Sequence, residues 1–125
     1  MNIPTRDTRS LWRLGTAPAR SDRHAWGFAT SLARSDRFRV RHLVIRPGRR
    51  LDVQSHYHRA EHWLVASGSG RATVGGRIVD LFEAQSLDIP VAMTHLIENH
   101  GKVDLHLIEV QTGTYLGEDD IIADV

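Results

Sequence analysis

The segment Gln54-Ser55-His56-Tyr57-His58-Arg59-Ala60-Glu61-His62 gathers three of the chain's eight histidines. Alternate residues of a strand face the same side, so on a strand Gln54, His56 and His58 share a face. If that face is a barrel interior, three polar side chains stand where leucines would normally go. Burying each of them unpaired costs about 2 kcal/mol or more, and a bound metal ion is the usual compensation. Glu61 follows across a short turn, where a carboxylate could close such a site. His95 lies on a later run, Pro90-Val91-Ala92-Met93-Thr94-His95-Leu96-Ile97-Glu98-Asn99. The expectation is one divalent metal held through His56, Glu61 and His95. The isolated histidines, His24, His42, His100 and His106, read as satisfied or solvated residues.

The elements that must position these residues are strands. From Trp26 onward, short β-type runs alternate with turn signals every 8 to 12 residues or so, the pattern of a sandwich or barrel. The runs are Trp26 to Leu32, Phe38 to Ile45, Asp52 to Tyr57, His62 to Ala66, Ala72 to Val74, Ile78 to Leu81, Gln85 to Ile89, Thr94 to Glu98 and Leu105 to Gln111. Pro47-Gly48 marks a tight turn, and Gly75-Gly76 between two such runs is the signature of a primed hairpin turn. The tail from Glu118 to Asp124 is the one place for a short helical turn. Residues 1–23 are polar, broken by Pro4, Gly15 and Pro18, and are expected as an N-terminal arm before a single domain over 24–125.

Composition bounds the rest. The 125 residues are 41% hydrophobic and 25% charged, enough for one core without staples. With no cysteine, disulfides, thiolate metal sites and a cysteine nucleophile are excluded. No run approaches the roughly 18 apolar residues of a membrane span. The arginines near the N-terminus precede no apolar stretch of the secretory kind, so the chain is expected in the cytoplasm. Through Arg59 there are 13 arginines against 4 acids, and beyond it 3 bases against 11 acids. In a barrel early and late strands pair, so these charges are expected to neutralise one another. The arginines are not clustered with aromatics, which argues against nucleic-acid binding.

Two gapped motifs sharpen the picture. Gly48, five residues, Gln54, one residue, His56, four residues, Glu61, six residues, Gly68 resembles the first cupin motif, with Gln54 in place of its first histidine. Pro90, one residue, Ala92, two residues, His95, three residues, Asn99 resembles the second, with Ala84 and Ala92 at its usual glycines. The resemblance implies an all-β cupin, a double-stranded β-helix or jelly-roll barrel. Its metal ligands would be Gln54, His56, Glu61 and His95, with His58 in reserve. Such a set suits zinc first, then manganese, iron, cobalt or nickel, and leaves positions for water or substrate.

Within the cupins, His58-Arg59-Ala60-Glu61-His62-Trp63, Ile97-Glu98-Asn99, Leu107-Ile108-Glu109-Val110-Gln111 and Tyr115-Leu116-Gly117-Glu118-Asp119-Asp120-Ile121 resemble the type II mannose-6-phosphate isomerase family. That family includes the C-terminal domain of bifunctional mannose-1-phosphate guanylyltransferases. The likeness implies interconversion of an aldose phosphate and a ketose phosphate, with mannose 6-phosphate as the model substrate. A base with a pKa near neutrality is needed, for which His58 or His62 would serve. A cation must hold the phosphate, and Arg59 is the first candidate, with Arg41 and Arg39 behind it. If Glu61 points inward, however, strand parity turns His62 outward. Guanylyl transfer is not expected, since 125 residues leave no room for that half.

Three departures favour an alternative, a non-catalytic cupin that binds a sugar or sugar phosphate. His24-Ala25-Trp26-Gly27 stands where the family commonly has Arg-Pro-Trp-Gly, and Ser55-His56-Tyr57-His58 replaces Met-His-His-His. Thr94 and Leu96 flank His95 where a lysine and an arginine are common. Two histidines and a carboxylate also describe non-haem iron oxygenases, a third reading. A homodimer is expected, paired through an edge strand, with Leu11, Trp12 and Leu14 of the arm contributing.

Overall fold

The computed structural model describes residues 21–113 and 121–123, with the side chains of 52–55 and 121–123 outside the description. Eleven strands form among the described residues, and no helix. They are β1 (Ser21–His24), β2 (Gly27–Arg34), β3 (Phe38–Ile45), β4 (Arg50–His56), β5 (Arg59–Ser67), β6 (Gly70–Val74), β7 (Arg77–Leu81), β8 (Ser86–Ile89), β9 (His95–Glu98), β10 (Leu105–Gly113) and β11 (Ile121–Ala123). All nine expected runs are present as β2 to β10. Ser21–Arg23, placed with the arm by the sequence, pair with β2. Residues 121–123 are a strand on β4 instead of a helical turn, because the edge of β4 offers them backbone partners. The remainder of the arm and of the tail lies outside the described residues.

Two antiparallel sheets face each other, with strand orders β1-β2-β3-β10-β5-β8 and β11-β4-β9-β6-β7. Inward positions follow the two-residue period. On β10, Leu105 and Leu107 are buried while His106 and Ile108 are only half-buried. Leu43, Ile45, Trp63, Val65, Ala72, Ile97, Leu105 and Leu107 are wholly buried between the sheets and form the apolar core. Gly75 and Gly76 both take positive φ, 55° and 81°, as the primed turn between β6 and β7 demands.

The two ends of this barrel differ. At one end Asn99, 1% exposed, donates through Nδ2 to the carbonyls of Ile45 and Val103 and accepts from the Gly101 amide. It thereby ties three loops and closes that end. At the other end the last residues of β4 and β10 meet the first residues of β5 and β9, and the interior there is polar.

Candidate metal centre

His56 ends β4, Glu61 is the third residue of β5, and His95 opens β9. The backbone of β4 pairs with β9 in one sheet, while β5 belongs to the other. The three side chains therefore converge from both sheets into the gap between them. They are 3%, 4% and 3% exposed, and their ligand-type atoms all lie within 4.8 Å of one another. His56 Nε2 stands 2.8 Å and His95 Nε2 3.0 Å from the same atom, Glu61 Oε2.

That oxygen is approached by two nitrogens, yet no N–H is aligned on it. Among the described residues it is the buried side-chain atom without a hydrogen-bond partner. Leaving a buried acceptor unmatched costs about 1–3 kcal/mol, more for a charged group. Two imidazole nitrogens and a carboxylate oxygen gathered this closely are a set that a shared cation could join. Tetrahedral coordination at about 2.0–2.1 Å sets ligand atoms roughly 3.3 Å apart, a few tenths of an ångström wider than seen here. The group fits one divalent metal.

Supporting contacts fix the orientation of each member. His95 Nδ1 lies 3.0 Å from the Met93 carbonyl and donates to it, which leaves Nε2 as the free lone pair. Trp63 Nε1 donates to Glu61 Oε1 at 3.1 Å, and its ring packs edge-on to His95 at 5.5 Å. His56 is held differently: its Nδ1 accepts from Arg59 Nε at 2.8 Å. A neutral His56 so bonded carries its proton on Nε2, so binding a cation there expels that proton and reorders its contact with Arg59.

The electrostatics follow from this crowding. Burial pushes the Glu61 carboxyl upward, but the imidazoles of His56 and His95, with Glu109 beside them, reverse this and hold it well below the usual carboxylate range. For His95, burial favours the neutral ring, and the closeness and charge of Glu61 outweigh it and raise its pKa. Glu109, 1% exposed, is pushed up to about 7, by burial first and then by the charge of Glu61. Arg41 Nε bonds it at 2.7 Å and only partly offsets the rise.

The expected residues divide. The structure brings His56, Glu61 and His95 together. Gln54 pairs its backbone with His95, but its side chain lies outside the described residues. His58 is not in the cluster: β4 ends at His56, the chain bends at Tyr57 and His58, and the assumed alternation stops there, leaving His58 exposed. His62 is also not brought to the cluster. Parity on β5 buries Glu61 and Trp63 and turns His62 to the outer face, where its Nδ1 bonds Asp88 Oδ1 at 2.5 Å. Arg59, expected to hold a phosphate, is buried in contacts of its own. It is 2% exposed, and besides His56 its Nη1 donates to Gln111 Oε1 at 3.1 Å.

Glu109, Gln111 and Trp63 were missed as site residues. The signal was present, since Glu109 and Gln111 share the inward parity of Leu105 and Leu107 along one run. Ala84 and Ala92 also carry more than their size suggests. Both hold positive φ, 67° and 62°, so the backbone keeps the glycine conformation of the second motif without the glycine. The Ala92 amide in turn donates to the carbonyl of His56 and clips the β8–β9 loop onto the metal group.

Comparison with known proteins identifies the family and the fold. The family described as mannose-6-phosphate isomerase C-terminal matches residues 17–123. The alginate biosynthesis protein AlgA of Pseudomonas aeruginosa is 51% identical over 84 residues, which are 67% of this chain and 18% of that protein. The xanthan biosynthesis protein XanB of Xanthomonas campestris is 51% identical over 85 residues, 68% of this chain and 18% of that one. The matched part thus spans less than a fifth of these relatives. Among solved structures, the capsular polysaccharide assembling protein CapF from Staphylococcus aureus aligns with a TM-score of 0.74 at 24% identity, over 88% of this chain and 34% of that chain. The Cnp3 cupin domain of Schizosaccharomyces pombe gives 0.67 at 17%, over 69% and 64%. Below a quarter identity these show the fold, which is the cupin double-stranded β-helix. The chain belongs to the mannose-6-phosphate isomerase C-terminal family.

Proposed function

We propose that this member of the mannose-6-phosphate isomerase C-terminal family is a metal-dependent isomerase that interconverts an aldose phosphate and a ketose phosphate, mannose 6-phosphate and fructose 6-phosphate first. The observation that carries the reading is the buried convergence of His56, Glu61 and His95 on the unpartnered Glu61 Oε2. Gln54 stands as a fourth ligand by its motif position, and zinc is the first metal to restore. When bound, the metal supplies Lewis-acid polarisation of the substrate's oxygens.

The chain's own residues supply the rest. Aldose to ketose needs a proton taken from C2 and one added to O1 to form the enediol, then one taken from O2 and one added to C1. A general base is needed, and His58, exposed at the bend between β4 and β5, is the candidate for it. Arg39 and Arg41 face inward on β3, opposite Gln111 and Glu109 of β10, on the polar half of the barrel interior. Their guanidiniums suit a phosphate. Arg59 serves from beneath, holding His56 and Gln111. Substrates of this class place the work in the cytoplasm.

A second reading, a sugar-phosphate binder without turnover, is favoured by one observation. Arg59, the foremost phosphate candidate, is committed to buried contacts instead. A coupled assay for fructose 6-phosphate from mannose 6-phosphate, with metal restored, separates the two. Product that disappears in a folded His56→Ala variant supports the isomerase. No product with a metal-loaded protein overturns it, and saturable sugar-phosphate binding then points to the second reading. An as-purified iron content with oxygen uptake would instead favour an oxygenase.

A further inference from the structure

The closed end of the barrel carries two depressions side by side. One, of about 210 Å³, is lined by Arg71, Asp80 and His100 among others, and the other, of about 560 Å³, by Glu83, Lys102 and Val103. Ser69, Phe82 and Gly101 line both and so stand between them. Phe82 is 58% exposed, in a turn where a polar residue is the ordinary choice. Its backbone is fixed by that turn. The Gln85 amide donates to the Phe82 carbonyl at 3.0 Å, and Gln85 Oε1 accepts from the Phe82 amide at 2.9 Å. Ala84, with φ 67°, takes the left-handed third position of this β-turn, and its amide bonds the Val65 carbonyl at 2.9 Å. An exposed phenyl is thus presented from an ordered backbone, which lowers the cost of binding on it.

The charges around this phenyl are already balanced. Arg71 bonds Asp80 through Nε at 2.8 Å and Nη2 at 3.4 Å. His100 Nε2 stands 3.0 Å from Glu98 Oε2, and Lys102 shares its depression with Glu83. An ionic ligand meets repulsion there as well as attraction, whereas a neutral one finds donors and acceptors of both kinds. We propose that the two depressions bind a neutral oligosaccharide, one sugar lying on the Phe82 ring and its neighbours reaching to either side. A pyranose offers what this surface matches. It has an apolar C–H face for the phenyl, and hydroxyls that both donate and accept for the guanidinium, carboxylate and imidazole beside it. The site is separate from the metal centre. Arg71 pairs with Glu98 and Val74 with His95, so three residues of β6, about 10 Å, separate the two along the sheet. Asn99 closes the barrel between them. The proposal therefore does not depend on the isomerase reading.

Amide NMR shifts of the isotope-labelled full chain test it, in separate titrations with cellotriose, maltotriose and mannotriose. At least one of these is expected to move the amides of Ser69, Arg71, Phe82 and Gly101 saturably below about 10 mM, with those of His56, Glu61 and His95 unmoved. Phe82→Ala, a change at an exposed side chain, is expected to weaken that binding about tenfold or more, and Phe82→Trp to retain it. Ile78→Ala, exposed on the same strand β7 but outside both depressions, is expected to bind as the wild type does. No movement of those amides with any of the three sugars overturns the proposal, and so does unchanged binding by a folded Phe82→Ala variant. Tighter binding of mannose 6-phosphate than of the neutral sugars at these residues overturns it as well, since the depressions would then be an anion site.

Discussion

Glu61→Gln tests the metal centre most directly, because it alters charge while keeping volume. The variant retains an oxygen for Trp63 Nε1 and replaces the anionic Oε2, toward which both imidazoles point, with a neutral amide. Outer contacts of metal sites are already worth about 10–100-fold in affinity, so loss of an anionic ligand should weaken binding about 100-fold or more. The metal-free protein should change little. Removing the carboxylate removes the influence that raises the His95 pKa, and so favours its neutral ring.

Thermal unfolding turns this into a number. At a metal concentration of 100 times the wild-type Kd, binding stabilises the native state by about 2.7 kcal/mol. With affinity down 100-fold, the same metal gives the variant RT ln 2, about 0.4 kcal/mol. In a domain of this size 1 kcal/mol moves Tm by roughly 3–5 °C. The wild type should therefore gain about 10 °C on zinc addition and Glu61→Gln about 1–2 °C, from similar metal-free midpoints. Equal gains in the two proteins would refute Glu61 as a ligand. A variant whose metal-free midpoint collapses would show that Glu61 holds the fold instead.

Arg59→Met should lower stability by about 2–4 kcal/mol, read as a urea midpoint, because the buried acceptors His56 Nδ1 and Gln111 Oε1 lose their donor at about 1–3 kcal/mol each. If Arg59 gripped the phosphate instead, KM would rise with the midpoint unchanged. Ala92→Gly should stabilise slightly, by up to about 1 kcal/mol, since relief of the left-handed backbone exceeds the entropy glycine adds to the unfolded chain. A measured loss of 1 kcal/mol or more would contradict this. Burial, and then the charge of His106, lower the pKa of His42 below the usual 6.5, so the fold favours the neutral ring. Its contribution is complete above about pH 6.5 and falls away as the pH drops below it, and His42→Gln should flatten that acid limb of the urea midpoint.

Much of this fold was legible because strand periodicity is a local property. Nine runs marked by alternation and by Gly or Pro turns became β2 to β10, and Gly75-Gly76 turned as its two positive φ values require. What escaped was short or borrowed. Ser21–His24 is four exposed residues, with no apolar alternation to announce it. Ile121–Ala123 is a strand only through its pairing with β4. The convergence of His56, Glu61 and His95 was legible for a different reason, since three polar residues set inward on strands need a common cause.

The residues around that group show where such reasoning stops. Arg59 reads as a cation free to hold a phosphate because its neighbours on the chain are polar. Whether it is buried depends on Gln111, 52 positions away, and on where β10 crosses β5. That crossing is tight: a Cβ on Gly113 would lie 2.1 Å from the His58 carbonyl oxygen, so only glycine lets β10 reach the start of β5. The same closeness sets Gln111 opposite Glu61 and Glu109 opposite Trp63. A single glycine thus determines that an arginine expected to meet substrate lies beneath His56 instead. Gly113→Ala should therefore disturb Arg59 and His56 before it disturbs the core, and metal affinity should fall further than Tm.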